Sequence, residues 1–416
     1  MRIVDVFAKE IFDSRGIPTV ECTIALDDGM KVVSSVPSGI SKGMHEAVEL
    51  RDGGDRLMGL GVRNAVDTIE QDIAPLIIGK IPDLVQADTD MVDLDGTDNK
   101  SELGANSILA VSMAVCRAQA YYESIPVYEL IAGLCNLDTV ALPRPMFNFL
   151  GGGLHVNNGN TIQEFMVVPT RQVSFHEALE VGVTVFHSLK TILEAKGMST
   201  LCGPEGGFAP ILTNGFQACD ILMEAIEKSG NSENVMIALD VAASHFYSIE
   251  TGLYLWEGKY VNADYLIEWY KNLVATYPVY SIEDGLSEVD WVNWKTMKKE
   301  IGQQVRLVGD DLFVTNPQRV WDGIENDVAT SVLIKPNQIG TITETLQVVD
   351  LCNENEWDVI VSHRSGETND SFIADLAVGV NASHIKAGGC SRGERMAKYN
   401  RLMQIEDELL ADQTEF

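Results

Sequence analysis

The spacing of hydrophobic positions changes about a third of the way along the chain. Before that point, alternating stretches such as TVECTIAL and MKVVSSVP predict strands of a meander, and NSILAVSMAVCRAQAYYE predicts a long, largely buried helix. A proline-marked stretch, TVALPRPM, is the predicted linker into the remainder. We therefore predict two domains, an N-terminal α+β domain over residues 1–138 and a second domain over residues 139–416.

After the linker, short apolar runs alternate with helical patterns, and each run ends in a residue whose side chain can bind a metal or transfer a proton. The runs are VMIALD, YPVYSIED, VRLVGDD, TSVLIKPN, DVIVSHRS and SHIKAGG. Their terminal residues are Asp240, Glu283, Asp310, Lys335, His363 and Lys386. The last four separations, of 23 to 28 residues, fit one strand, one helix and two loops. This repeat predicts an α/β fold, a barrel of parallel strands whose carboxyl ends share one face.

Three of these strand ends carry carboxylates, with no histidine or cysteine among them. Asp240, Glu283 and Asp310 would raise one another's pKa unless a hard cation lay between them. Ligation by oxygen alone favours Mg²⁺, with Mn²⁺ as a plausible substitute. The sequence therefore predicts a metal site at the carboxyl ends of the strands.

The strand ends that follow supply positive charge. Lys335, Arg364 beside His363, and Lys386 would share the pocket with the metal, which suits a small polyanion such as a phosphorylated carboxylate. A lysine between other positive centres should have a lowered pKa, so we expect Lys335 to serve as a general base. The alternative is that Lys335 is an ion-pair partner for the acids.

Charge and cysteine content narrow the choice of partners and compartment. Thirty basic against 61 acidic residues give a net charge of −31, which makes nucleic acid an improbable partner. No apolar run reaches the roughly 18 residues of a membrane span, and the N-terminal stretch does not resemble a signal peptide. Seven scattered cysteines without a C-x-x-C pair indicate reduced thiols. We expect a cytoplasmic protein that does not insert into membranes.

Several longer motifs identify a family. They are DSRGIPTVE, PSGISKG, DLDGTDNK, GANSILAVS, GGGLH, QEFM, SIEDG, GDDLFVTNP, IKPNQIGTITET and SHRSGETND. In order and spacing, over nearly the whole chain, they resemble the enolases (phosphopyruvate hydratases). The resemblance implies an enolase-type, eight-fold β/α barrel preceded by an N-terminal α+β domain. It also implies a lyase of glycolysis and gluconeogenesis that reversibly dehydrates 2-phosphoglycerate to phosphoenolpyruvate, and a homodimer or higher homo-oligomer.

The same resemblance, carried over position by position, implies the ligands and the base. Asp240, Glu283 and Asp310 would bind a first Mg²⁺, and Ser41, in the SGISKG loop, would reach a second ion that arrives with the substrate. Lys335 would remove the proton on C2 of 2-phosphoglycerate. The ions and Lys386, on the substrate carboxylate, would stabilise the dianionic intermediate.

The acid and the remaining substrate-binding residues are implied in the same way. Glu205, in the stretch GPEGG, would protonate the departing C3 hydroxyl, with Glu164 and Gln163 beside it. Glu164 and Gln163 precede an apolar run, so a strand-end pair facing water is an alternative. Arg364 could pair with Glu367 on its own loop rather than with phosphate. The substrate-binding residues are His155, Gln163, His363, Arg364, Ser365 and Lys386.

Near the site, the sequence departs from the usual enolase pattern in four places. Pro204 replaces an acidic residue before Glu205, and Gly151 replaces an asparagine at the start of the GGGLH stretch. The remaining departures are Ile40 and Lys42 beside Ser41, and His245 in place of a glutamate. Such changes leave two alternatives open: an enolase-like enzyme for a related phospho- or phosphono-carboxylate, or a weakly active homologue with a binding role.

Overall fold

A computed structural model describes residues 1–40, 42–156, 158–170 and 174–414. The N-terminal part is a three-stranded antiparallel meander covered by helices. Its strands are β1 (Ile3–Phe12), β2 (Pro18–Leu26) and β3 (Lys31–Ser35), in that order across the sheet. Its helices are α1 (Arg63–Thr68), α2 (Ala74–Ile77), α3 (Leu84–Asp95), α4 (Ala105–Glu123) and α5 (Val127–Leu134).

Helix α4 forms the centre of this part, as its apolar sequence predicts. It packs against β2 and β3 on one side and against α3 and α5 on others. Alanine and serine supply many of its buried positions, which lets neighbouring elements approach closely. The helix ends at Ser124, which adopts the left-handed conformation typical of a helix C-terminus.

The remainder is a closed eight-stranded barrel, so the predicted α/β barrel fold is confirmed. Its strands, in the order in which they neighbour one another, are β10 (Val279–Glu283), β11 (Arg306–Gly309), β12 (Ser331–Ile334), β13 (Asp358–Ser362), β14 (His384–Lys386), β4 (Arg144–Gly151), β5 (Glu164–Pro169) and β6 (Val235–Asp240).

One strand contradicts the prediction of an all-parallel barrel. Strand β5 is antiparallel to both of its neighbours, β4 and β6, whereas every other neighbouring pair is parallel. The physical reason is the connection from Gly151 to Glu164, whose described residues contain no helix and which returns the chain as in a hairpin. Glu164 therefore begins its strand at the barrel end where the other strands finish.

Helices surround the barrel, and a small sheet lies beside it. The helices are α6 (Phe175–Ala195), α7 (Gly215–Lys228), α8 (Ala263–Thr276), α9 (Trp291–Ile301), α10 (Pro317–Asn326), α11 (Pro336–Ile339), α12 (Ile342–Glu354), α13 (Phe372–Gly379) and α14 (Gly393–Thr414). The small sheet consists of β7 (Tyr247–Ser248), β8 (Leu253–Trp256) and β9 (Lys259–Val261). Within the described residues, no helix is both long enough and apolar enough to span a membrane.

The inside of the barrel is filled, so its two ends are separate surfaces. The filling side chains form their own buried cluster of Met146, Met166, Val168, Ala238, Tyr280, Val308, Leu333 and Ile360. At the carboxyl end of the barrel, Asp240, Glu283 and Lys386 are the last residues of their strands. Lys335 and His363 directly follow theirs, so the predicted convergence of strand ends is confirmed.

Candidate active site

Lys386 lies at the centre of a buried group of carboxylates. Its Nζ atom is 2.8 Å from Asp240 Oδ2, 2.9 Å from Glu283 Oε2 and 3.3 Å from Glu164 Oε1. Burial works against a charge on this lysine, but the surrounding carboxylates outweigh it and raise the pKa of Lys386 well above its ordinary value. The surrounding carboxylates therefore favour the ammonium form of Lys386 in this pocket.

Lys335, the predicted base, pairs with one of the predicted metal ligands. Its Nζ atom donates to Asp310 Oδ2, while Gln338 Nε2 donates to the other oxygen of Asp310 at 2.9 Å. Burial, Arg364 and Lys386 all act to lower the pKa of Lys335, but the attraction of Asp310 outweighs them and raises it. The expected lowered pKa was therefore wrong for this arrangement, because a carboxylate is a closer neighbour than the other cations.

The carboxylates at this end of the barrel outnumber the lysines beside them. Burial, and then the neighbouring Asp240, raise the pKa of Glu283 well above its ordinary value, in the predicted direction. Asp310 differs, because Lys335 overcomes the effect of burial and lowers the pKa of Asp310. The pocket thus holds more carboxyl groups than its lysines can keep ionised, and an additional cation would stabilise their charged forms.

The closest carboxylate groupings only partly match the predicted metal ligands. Within the described residues, two groups place one ligand atom of each member within 4.8 Å of the others: His155, Glu164 and Glu205, and Asp284, Asp310 and Asp311. Of the predicted set, Asp310 alone belongs to either group. Asp284 accepts hydrogen bonds from the backbone N–H groups of Asp310 and Asp311, at 3.0 and 2.8 Å, and so positions Asp310.

On the other side of the same cavity, Glu164 and Glu205 form what we call the acid pair. Burial and the adjacent Glu205 raise the pKa of Glu164 well above its ordinary value. Burial acts on Glu205 as well, but His155, His363 and Arg395 outweigh it and hold the pKa of Glu205 well below its ordinary value. These opposite shifts favour one proton shared by the pair, on Glu164 and in the side-chain hydrogen bond to Glu205.

Glu164 and Gln163 do not face water, so that alternative is wrong. Their residues are 1% and 4% exposed. The amide of Gln163 lies 3.3 Å from Asp240 Oδ2, which links the two sides of the cavity. Asn148, a residue that sequence reasoning missed, donates to Glu205 Oε2 at 3.1 Å.

Arg395 is a second residue that sequence reasoning missed. Fully buried, it donates to His363 Nδ1, to the carbonyl of Ser365 at 2.7 Å and to the carbonyl of Pro204 at 3.1 Å. Because Arg395 occupies the Nδ1 lone pair, the proton of neutral His363 is on Nε2, 3.9 Å from Glu205 Oε2. The sequence signal that could have identified Arg395 is a basic residue on the buried face of α14, where Tyr399 and Leu402 also lie.

Arg364, predicted to bind phosphate, already has a carboxylate partner. Its guanidinium makes two contacts to Glu46, at 2.9 and 3.1 Å, and also donates to Asn337 at 3.1 Å. The alternative of a side-chain pair with Glu367 is wrong, because it is the backbone N–H of Arg364 that donates to Glu367. Ser365 borders the same cavity.

The first loop contributes only partly to the described site. Ser41, the predicted ligand of a second ion, lies outside the described residues. The backbone N–H of Ile40 donates to Ser365 Oγ at 2.6 Å, which brings this loop to the carboxyl end of the barrel. Lys42 is paired with Glu49 at 2.8 Å and is not among the residues that border the cavity.

The loop that carries Glu205 is held by close backbone approaches. A Cβ atom on Gly207 would lie 2.5 Å from the side chain of Asn148, and one on Gly206 would lie 2.9 Å from Ser391 Oγ. Gly206 also has a φ of +92°, which disfavours other residues. The turn closes through Gly203, whose N–H donates to Gly207 and whose carbonyl accepts from Gly206, so it needs no N–H from Pro204.

We therefore expect Pro204→Ala to change turnover by less than about threefold, which is under 1 kcal/mol of activation free energy. The free energy of unfolding should fall by about 0.4–1 kcal/mol, because alanine gives the unfolded chain more conformational freedom. Steady-state kinetics and denaturant unfolding would measure both effects. A tenfold or larger gain in turnover in this variant, or in Pro204→Asp, would contradict this account of the loop.

Most of the predicted site residues thus border one small cavity, whereas Glu283 and Asp310 lie just beyond its lining, in contact with Lys386 and Lys335. The cavity is bordered by His155, Gln163, Glu164, Glu205, Asp240, Lys335, Ser362, His363, Arg364, Ser365 and Lys386. A cavity at the carboxyl ends of barrel strands, lined by buried carboxylates and ammonium groups, defines a β/α-barrel enzyme that performs proton transfer on a small anion.

Comparisons with known proteins agree with this class. Residues 3–131 match the family model of the enolase N-terminal domain, and residues 139–416 match that of the enolase C-terminal TIM barrel domain. A curated enolase of Natranaerobius thermophilus is 48% identical over 410 residues, which covers 98% of this chain and 95% of the relative. The chain belongs to the enolase family.

Proposed function

We propose that this chain catalyses the reversible, Mg²⁺-dependent dehydration of 2-phosphoglycerate to phosphoenolpyruvate. One observation carries the proposal: a lysine and a proton-sharing pair of glutamates border the same buried cavity. Dehydration across a carbon–carbon bond needs both a base to take a proton and an acid to protonate the leaving hydroxyl. Lys335 supplies the first, and Glu164 with Glu205 supplies the second.

The carboxylates in and beside the cavity fit a divalent cation. Asp240, Glu283 and Asp310 offer hard oxygen ligands from three neighbouring strands, which suits Mg²⁺. One nearby buried oxygen, Gln163 Oε1, has no hydrogen-bond partner within the described residues, as expected where a bound group completes the site. We assign a first ion to the three acids and a second, which arrives with the substrate, to Ser41. Bound ions would draw negative charge from the substrate carboxylate and so make the C2 proton more acidic.

Lys335 would take the C2 proton once its pairing with Asp310 weakens. In the described arrangement, Asp310 raises the pKa of Lys335, and a protonated lysine is not a base. A cation on Asp310 would compete for the same carboxylate charge. Burial, Arg364 and Lys386 would then lower the pKa of Lys335 against the smaller opposing effect of Glu283. Lys386 would stay charged and bind the substrate carboxylate.

The acid pair would protonate the C3 hydroxyl. Glu164 holds the shared proton, and Glu205 is held in place by Asn148 and the neighbouring histidines, His155 and His363. We propose that the proton passes from this pair to the hydroxyl as the C3–O bond breaks, with water as the leaving group. Arg364 and Ser365 would bind the phosphate, with Glu46 released from Arg364 as the phosphate takes its place.

The direct test is a turnover assay. With 2-phosphoglycerate and Mg²⁺, we expect phosphoenolpyruvate to form, as followed by its ultraviolet absorbance, and we expect a chelator to abolish the reaction. Asp240→Asn should raise the Mg²⁺ concentration required for half-maximal turnover by about tenfold or more, because it removes a charged ligand. Absence of turnover with 2-phosphoglycerate would contradict the proposed function. Full turnover in the presence of the chelator would contradict the metal assignment alone.

Three further assignments complete the proposal. We propose that the chain divides functionally into residues 1–138 and 139–416, that it forms a homodimer or higher homo-oligomer, and that it works in the cytoplasm. The family relationship supports the homo-oligomer and the cytoplasmic location. Lys42 is paired with Glu49 at the surface, so it gives no reason to prefer another substrate. Sedimentation of the purified protein as a 45.6 kDa monomer would contradict the oligomer.

A further inference from the structure

A second cavity opens at the opposite, amino-terminal end of the barrel. We call it the lower cavity; its volume is about 380 Å³, and it is open to solvent on one side. It is bordered by the first residues of several strands, including Arg144 of β4, Arg306 of β11 and His384 of β14, and by Tyr280 of β10. The filled barrel separates it from the site described above.

His384 has an unused hydrogen-bond acceptor beside this cavity. The residue is 2% exposed, and its Nε2 atom has no partner within the described residues. Its Nδ1 atom lies 3.0 Å from Ser383 Oγ, and the Ser383 hydroxyl donates its single proton to the Val359 carbonyl at 3.0 Å. Nδ1 therefore carries the imidazole proton and donates to Ser383, which leaves Nε2 as a bare acceptor.

The imidazole is held neutral by its surroundings. Burial, followed by the positive charges of Arg144 and Arg306, lowers the pKa of His384 to about 3. The ring also packs against Tyr280, with the ring centroids 4.8 Å apart, and the Arg306 guanidinium lies 4.8 Å from the centre of the same Tyr280 ring. A buried, oriented acceptor without a partner is an unusual and costly feature.

Two arginines and two carboxylates border the cavity, but both carboxylates already have partners. Arg306 is paired with Asp358, and the nearby Glu406 is satisfied by His176 and by two backbone N–H groups of α6. The guanidinium of Arg144 forms neither a hydrogen bond nor an ion pair with any side chain in the described part of the chain. In a protein of net charge −31, an unpaired arginine beside a half-open cavity is a local site for an anion.

Arg144 and His384, the two groups without partners, require different properties of a single ligand. Arg144 requires a negatively charged oxygen, whereas His384 Nε2 requires a hydrogen-bond donor. We propose that the lower cavity binds a small oxyanion that retains a proton, namely hydrogen phosphate, with its charged oxygens on Arg144 and its hydroxyl donating to His384 Nε2. The proposal does not depend on the reaction at the other end of the barrel.

The test uses the full chain with ¹⁵N-labelled histidine and follows the Nε2 resonance of His384, which is identified by its loss in His384→Gln. We expect the resonance to move and saturate as inorganic phosphate is added at pH 8. Sulfate carries no proton, and methyl phosphate, with a second pKa of about 6, has lost its own at this pH. Both should bind at least about fivefold more weakly, or roughly 1 kcal/mol. Equal binding of the three anions would overturn the role of His384 as the acceptor.

Two variants of Arg144 test the anion contact. Arg144→Gln should weaken phosphate binding by about tenfold or more, whereas Arg144→Lys, which keeps the charge, should recover part of it. Turnover of 2-phosphoglycerate in both variants checks that the barrel is intact, and a phosphate that binds only at the carboxyl end would leave the His384 resonance unmoved. No saturable movement below about 50 mM phosphate, or unchanged binding in Arg144→Gln, would overturn the proposal and leave water as the partner of Nε2.

Discussion

Lys335→Ala is expected to lower turnover of 2-phosphoglycerate by at least about 10³-fold, because it removes the only basic nitrogen proposed to take the C2 proton. Exchange of the C2 proton with solvent should be lost together with dehydration, since both begin with the same proton transfer. Loss of exchange can be measured by nuclear magnetic resonance in heavy water, independently of phosphoenolpyruvate formation. The two measurements together separate a missing base from a missing acid.

A matched control is available on the surface of the same barrel. Lys295 is an exposed lysine of α9, and Lys295→Ala should leave turnover and exchange unchanged. Lys335→Ala also leaves Asp310 without its ammonium partner, so Mg²⁺ binding should be retained or strengthened, which a calorimetric titration would show. Proton exchange at the ordinary rate in Lys335→Ala would contradict the assignment of the base.

The strand-end part of the site could be predicted from sequence because it follows from regular structure. A βα repeat places successive carboxyl ends on one face, and so Asp240, Glu283, Lys335 and Lys386 could be grouped without coordinates. The direction of β5 could not be predicted in this way. A loop without a helix is compatible with either direction, and only the pairing of Glu164 with Asp240 across neighbouring strands settles it.

Other features depend on contacts between residues that are far apart in the sequence. Arg364 meets Glu46 across 318 positions, and Arg395 reaches Pro204 across 191. No periodicity relates such positions. The direction of the pKa shift of Lys335 could not be predicted for the same reason. It depends on whether Asp310 or a cation is the nearer neighbour, a difference of a few ångströms.

Variants of the acid pair should differ from Lys335→Ala, because they should lose dehydration and keep exchange of the C2 proton. Glu205→Gln should lower phosphoenolpyruvate formation by about 10²–10⁴-fold while C2 proton exchange continues, because Lys335 is untouched. Glu164→Gln should give the same separation, since Glu164 holds the proton that the pair shares. In the unaltered protein, dehydration should decline as pH rises through the raised pKa of Glu164, because a deprotonated pair has no proton to give.

The glutamine variants keep the size of the side chains, so a loss of dehydration cannot be attributed to a collapsed cavity. Asn148→Ala supplies a graded control, because it removes one hydrogen bond to Glu205 and leaves the carboxylate in place. Its effect on dehydration should be smaller, about tenfold, in keeping with the roughly 1.5 kcal/mol of one hydrogen bond to a charged group. If Glu205→Gln loses proton exchange and dehydration in equal measure, then Glu205 acts before the C3–O bond breaks, and the proposed division between base and acid is wrong.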